Sequence, residues 1–261
     1  MCGITILDSN IYTVFQNSNN IQVYDSAALV FRNSFTIDEM VNPNDLTSCS
    51  LNNCLYICDW GNGRIFRFEV GEGGQHMSWS IDADLGGLSV TAEHNVLLSG
   101  HASNKLKEYT SKGQLIRSVT LKDYLNPWHA IKLISNDFII CHGDSLRESG
   151  NHRVCLVDAN GKLKAFFGGA KGSDEEHMFG PYYLAVDKND CILVSDCNNR
   201  RILLLSQDLK FIKEIIPSST NVLRRARRMY LDEAAGRLYV ADNVSTGRET
   251  KDGRILVFSI T

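Results

Sequence analysis

The sequence predicts an all-β fold, a six-bladed β-propeller with about four antiparallel strands per blade. Three observations carry that expectation. A short pattern recurs as "YICDWGNGRIFRF" at 56–68, "LVSDCNNRRILLL" at 193–205 and, with a longer middle, "YVADNVSTGRETKDGRILVF" at 239–258. Each copy holds an apolar run, an Asp, a polar turn, a basic residue and a second apolar run. The copies also fall on a period. Units open at Met1, Pro43, Leu85 and Pro127, each 42 residues after the last, then at Pro181, 54 on, and Ala226, 45 on. Finally, no segment sustains a helical periodicity; "NVLRRARRMYLDEAA" comes nearest, and its "RMYLD" aligns with the strand "YYLAVD". Short alternating apolar runs repeating near 42 residues are what a four-stranded blade produces.

Taken in order, the units depart from the pattern and return to it. Unit one departs furthest, at "QNSNNIQV". Unit two carries Asp59, Asn62, Arg64 and Ile65 around its turn. Unit three has Gly100 in place of the Asp and Lys105 in place of the Arg. Unit four keeps Asn151, Arg153 and Val154 after an inserted "DSLRESG". Unit five is the cleanest: "YYLAVD", "CILVSD", "RILLLSQ" and "KFIKEII" read as strands, with "KND" and "CNNR" as the first two turns. Val, Ile and Leu fill the runs and Asn, Asp and Gly the gaps, as pleated strands and tight turns require. Unit six keeps Asp242, Arg254 and Ile255 and ends at "RILVFSIT" after its third strand. Because an open edge invites mispairing, a fourth strand is expected from chain outside these residues, in a longer protein.

The Pro-x-x-apolar opening, the "D-x-x-N-x-R-I" turn at Asp59, Asn62, Arg64 and Ile65 and again at Asp196, Asn199, Arg201 and Ile202, and the six units resemble the NHL-repeat family of propellers. The NHL domains of tripartite-motif (TRIM-NHL) ubiquitin ligases are of this kind. The resemblance spans residues 1–261 as one domain. It implies recruitment of a protein partner or of RNA, with ubiquitin transfer left to an upstream RING; no RING cysteine pattern lies in this chain. The recurring Asp and Arg are read as blade-stabilising partners, since a guanidinium suits a bidentate pair better than an ammonium.

Composition narrows the class. Hydrophobic content of 43% and charged content of 22% are ordinary for a globular protein. The net charge of −3 argues against wholesale polyanion binding but leaves room for a local basic site. No apolar run reaches the roughly 20 residues of a membrane helix, and "MCGITILDSNIYTVFQ" lacks the basic start and apolar stretch of a signal peptide. The eight cysteines form no CxxC pair, and six sit in or beside apolar runs, so they are read as buried thiols in a reducing, cytoplasmic setting.

The two positions before each innermost strand should ring the mouth of the central channel, on the face called the top here. They are Cys2 and Gly3, Asn44 and Asp45, Gly86 and Gly87, Trp128 and His129, Tyr182 and Tyr183, Arg227 and Arg228. One side is small and the other aromatic beside basic. Arg224 and Arg225 adjoin it, giving four positive charges within five residues, and the longest loops, near 143–152 and 243–253, are expected on the same face. The candidate partner site is therefore Asn44, Asp45, Trp128, His129, Tyr182, Tyr183, Arg224, Arg225, Arg227 and Arg228, facing a protein or, alternatively, single-stranded or hairpin RNA. Guanidiniums hold phosphates and aromatic faces stack bases. A metal-dependent lyase or lactonase is a third reading, because His129 lies at the mouth and His101, His142 and His152 in turns. No His-x-His or paired-carboxylate set recurs at equivalent positions, so no catalytic residue, metal ligand or cofactor is expected.

Overall fold

The computed structural model describes residues 1–71, 74–81, 86–143, 150–244 and 252–260. Blade one is β1 (Gly3–Leu7), β2 (Asn10–Val14), β3 (Asn20–Asp25) and β4 (Phe31–Thr36). Blade two is β5 (Pro43–Cys49), β6 (Cys54–Asp59), β7 (Arg64–Glu69) and β8 (His76–Ser80). Blade three is β9 (Leu88–Val90), β10 (Val96–Gly100), β11 (Lys105–Tyr109) and β12 (Leu115–Thr120). Blade four is β13 (His129–Lys132), β14 (Phe138–His142), β15 (His152–Val157) and β16 (Leu163–Gly169). Blade five is β17 (Pro181–Val186), β18 (Ile192–Asp196), β19 (Arg201–Leu205) and β20 (Phe211–Ile216). Blade six is β21 (Ala226–Asp232), β22 (Arg237–Val244) and β23 (Asp252–Ser259). Each sheet keeps its strands in sequence order, and β21 lies back against β1, so the ring closes as the six-bladed propeller expected. Among the described residues no helix is long and apolar enough to cross a membrane. Three unit boundaries coincide with strand starts, at Pro43, Pro181 and Ala226; Leu85 lies outside the described residues.

The core is six seams between neighbouring blades, a direct result of the two-residue period of a strand. β6 is buried along its whole length because both its faces are covered. Leu55 and Ile57 pack towards blade one, while Cys54, Tyr56 and Cys58 pack towards blade three. Each such side chain contributes about 1.5–3 kcal/mol on leaving water. All eight cysteines are unbonded and seven are buried. Burial pushes Cys141 and Cys155 up to about 12, so these two stay thiols and act as small hydrophobes.

The recurring Asp ties the end of a second strand to the segment leading into the innermost strand of its own blade. Asp59 accepts backbone hydrogen bonds from Val41 and Asn42, Asp196 from Phe179, and Asp242 from Arg224 and Arg225. The expected ion pair forms in two blades: Arg201 Nε lies 2.8 Å from Asp196 Oδ2, and Arg254 Nη2 lies 2.7 Å from Asp242 Oδ2. In blade two Asp59 instead takes a third backbone N–H, from Gly61, and Arg64 donates to Ser78 Oγ at 2.9 Å. Where units three and four lack the Asp, Asn104 accepts from Asn126 N and His152 accepts from Gly180 N, ties that reach the next blade.

Candidate functional site at the channel mouth

The lead-ins to the innermost strands and the turns between second and third strands meet on one face. Trp60 N donates to Asn42 O and Arg225 Nη2 to Asn198 Oδ1 across those loops. The ring of twelve positions resolves there into two layers.

The lower layer closes the channel. Arg228, from blade six, reaches past blade one to blade two, where its Nε donates to Asp45 Oδ1 at 2.7 Å and its Nη2 to Asn44 O at 3.1 Å. Asp45 also accepts from Leu46 N at 2.9 Å and Leu88 N at 2.7 Å, so both carboxylate oxygens are occupied. Arg228 and Asp45 are 2% and 0% exposed. Burial raises the Asp45 carboxyl pKa on balance, against the opposing pull of Arg228 and the two backbone donors, while the guanidinium stays charged. The Arg228 guanidinium also faces the rings of Tyr182 and Tyr183, 5.0 and 5.1 Å from their centroids. His129 stacks on Tyr183 at 3.7 Å and its Nε2 lies 3.1 Å from Leu88 O, which fixes the proton on Nε2. Its buried Nδ1 meets no protein donor among the described residues. Burial, followed by the Arg228 charge, lowers the His129 pKa to about 3, so the ring is neutral. Gly87 completes the closure: a Cβ there would stand 2.6 Å from His129 Cδ2, too close for any other residue without movement.

The upper layer is a platform of rings. Trp128 stacks on His101 at 3.8 Å and on Tyr182 at 4.9 Å, and its Nε1 donates to Gly143 O at 2.7 Å. Arg227 extends this row, with its guanidinium carbon 5.4 Å from the Tyr182 centroid. Arg224 is exposed, and Arg225 and Arg227 are half-buried. Among the described residues none of these three has an acid in ion-pair range, whereas Arg228 and Arg254 both do.

Of the ten sequence-predicted site residues, Asn44, Asp45, His129, Tyr183 and Arg228 are therefore interior, where the sequence reading placed them on a binding surface. Trp128, Tyr182, Arg224, Arg225 and Arg227 stand at the surface around them. The four arginines do not act as one patch: Arg228 is buried against Asp45, and the register of β21 shifts between Ala226 and Arg228, at Arg227. The sequence places His101 in a turn, among the histidines of the metal-dependent alternative, and its stacking partner Trp128 lies one blade away. The two longest loops fall mostly outside the described residues, at 144–149 and 245–251. Among the described residues no three His, Cys, Asp or Glu groups converge at a metal-holding spacing.

No family model matches the chain, and no curated protein matches it in sequence. Solved structures match in fold. A protein of unknown function from Bacteroides caccae is 12% identical with a TM-score of 0.71, over 96% of this chain and 89% of that one. A catalytically inactive virginiamycin B lyase from Staphylococcus aureus with quinupristin is 12% identical with a TM-score of 0.62, over 99% and 83%. Kuenenia stuttgartiensis hydrazine synthase is 11% identical with a TM-score of 0.69, over 99% and 95%. At these identities the likeness concerns the fold alone.

Proposed function

We propose that the protein is a recognition module that recruits a protein partner through the top face of the propeller. One observation carries this reading: Arg224, Arg225 and Arg227 stand beside a platform of interlocked rings with no acid paired to them among the described residues. Trp, Tyr and Arg are the types that dominate binding hot spots. Rings already held by their neighbours lose little further freedom on binding, which favours association. The three uncompensated charges suit an acidic segment of the partner. Single-stranded RNA binding uses free aromatic faces, and Trp128 has a ring on each of its faces. That weighs towards a protein lying across the ring edges. Likeness to NHL repeats supports the same reading, including substrate selection for an upstream RING ligase, by a monomeric module in the cytoplasm.

The test uses labelled acidic, neutral and basic peptides and a random single-stranded RNA pool, at two salt concentrations. Wild type is compared with Arg224→Glu, Arg225→Glu and Arg227→Glu combined. Selective binding of acidic peptides that the triple variant loses is the expected result. Salt-sensitive RNA binding lost in the same variant would reassign the face to RNA, and silence from every probe would end the proposal.

A further inference from the structure

The first hairpin of each blade turns on the face opposite the channel mouth. In five blades its last register pair is Leu7 with Asn10, Val90 with Val96, Lys132 with Phe138, Val186 with Ile192 and Asp232 with Arg237. In blade two it is Cys49 with Cys54. No other strand pair among the described residues sets two cysteines opposite each other. Register partners point to one side of a sheet with Cα atoms about 4.5–5.5 Å apart. That lies inside the span a disulfide bridges. Both thiols are buried, and both face blade three.

The surroundings of the two sulfurs are polar. Each of these hairpin turns holds a residue in the left-handed region: Ser9, Asn53, Asn136, Asp190 and Gly236 in five blades, and His94 in blade three. The first five are the small types such turns ordinarily take. His94 brings a ring instead, and its Nδ1 lies 3.6 Å from Cys49 Sγ across the seam between blades two and three. Asn52 Nδ2 donates to the same sulfur at 3.2 Å. In the tautomer with its proton on Nε2, His94 is placed to take the thiol proton, and the Asn52 amide to hold the charge that develops on sulfur. Cys54 has donors of its own: burial raises its pKa, and Tyr56 and the Arg67 guanidinium beside it oppose the rise. Tyr56 Oη and Arg67 Nε are buried and meet no partner at hydrogen-bond distance among the described residues. The pair sits beneath the exposed Leu51 and the half-buried Asn52 and His94, within reach of a water-sized oxidant but not of a protein thiol.

We propose that Cys49 and Cys54 are a redox pair in which a hydroperoxide oxidises Cys49 and Cys54 resolves it as a disulfide. His94 takes the Cys49 proton, and the sulfur attacks one peroxide oxygen. An S–O bond forms as the O–O bond breaks, and the departing oxygen collects the proton from His94 as water or an alcohol. Cys54 then attacks the sulfenic sulfur: the S–S bond forms, the S–O bond breaks, and hydroxide leaves with the Cys54 proton as water. Two thiols are oxidised and one hydroperoxide is reduced. The site does not depend on the reading of the top face.

Hydrogen peroxide added to the folded protein is the test. Differential thiol labelling with peptide fragmentation should place one disulfide between Cys49 and Cys54, with Cys58 still reduced, and dithiothreitol should reverse it. Cys54→Ser should stop at a sulfenic acid on Cys49, trapped by dimedone, and Cys49→Ser should leave Cys54 reduced. His94→Asn installs the residue that blades two and four carry in this turn, so the backbone is kept. It should slow oxidation about tenfold or more and alter the dependence of the rate on pH. Oxidation confined to other cysteines, equal rates in His94→Asn and wild type, or oxidation no faster than global unfolding would overturn the proposal. So would protection of the two thiols by a bound metal that a chelator removes.

Discussion

Arg227 and Arg228 are neighbours in sequence and opposites in circumstance. Arg228 is 2% exposed, ion-paired to Asp45 and enclosed by tyrosine rings. Arg227 is half-buried with no acid in range among the described residues. The same side chain serves as an internal brace in one place and as an available charge in the next, at a point where the register of β21 shifts between Ala226 and Arg228. Charge counted along a sequence therefore says little about charge offered to a partner.

The largest effect that could break this contrast comes from the brace. Arg228→Ala should cost about 3–5 kcal/mol in urea unfolding, because Asp45 would stay buried without its counter-charge. The double variant Asp45→Asn with Arg228→Met should recover part of that loss. A single-variant cost below about 1 kcal/mol would show that Arg228 is no more structural than Arg227.

Acid sharpens the contrast next. His129 has a folded pKa of about 3 against an ordinary 6.5. As pH falls below 6.5 the unfolded chain takes up the proton first. The stability His129 contributes is thus complete above 6.5 and drains away down to about 3, at up to about 1.4 kcal/mol per pH unit. His142, lowered to about 4 mainly by burial, adds a second such decline between 6.5 and 4. Urea midpoints from pH 7 to pH 4 should show a shallower slope in His129→Phe than in wild type.

On the upper layer the effects shrink. Trp128→Ala removes two ring contacts and should cost about 1–3 kcal/mol. The combined Arg224, Arg225 and Arg227 changes to Glu should alter stability by no more than about 0.5 kcal/mol each. A larger loss from the triple variant would mean that these arginines brace the fold as Arg228 does.

Much of the fold was legible because strands and turns leave local signals. The turn Asp at 59, 196 and 242 marks three blades, and two of the expected Arg pairs form. Arg64 turns to Ser78 Oγ while Asp59 takes three backbone N–H groups, a choice no residue pattern displays. The site was legible in its membership but not its depth. The ring positions of Asp45 and Arg228 were identified, yet their contact spans 183 residues and depends on the channel radius. The stack of His101 on Trp128 joins residues from different blades and left no local trace.

The two kinds of tie also set an order of events in folding. The Asp59 and Asp242 ties close chain segments of 17 or 18 residues, so a blade can organise from its own neighbourhood. The Arg228–Asp45 bond closes 183 residues and becomes available only when the last blade meets the first. Contacts of such separation carry the heaviest loop-closure cost and form late. Arg228→Ala should then leave the refolding rate nearly unchanged and speed unfolding, the signature of an interaction absent from the transition state. The bond across the channel mouth is in that sense a latch, setting how long the ring stays shut once formed.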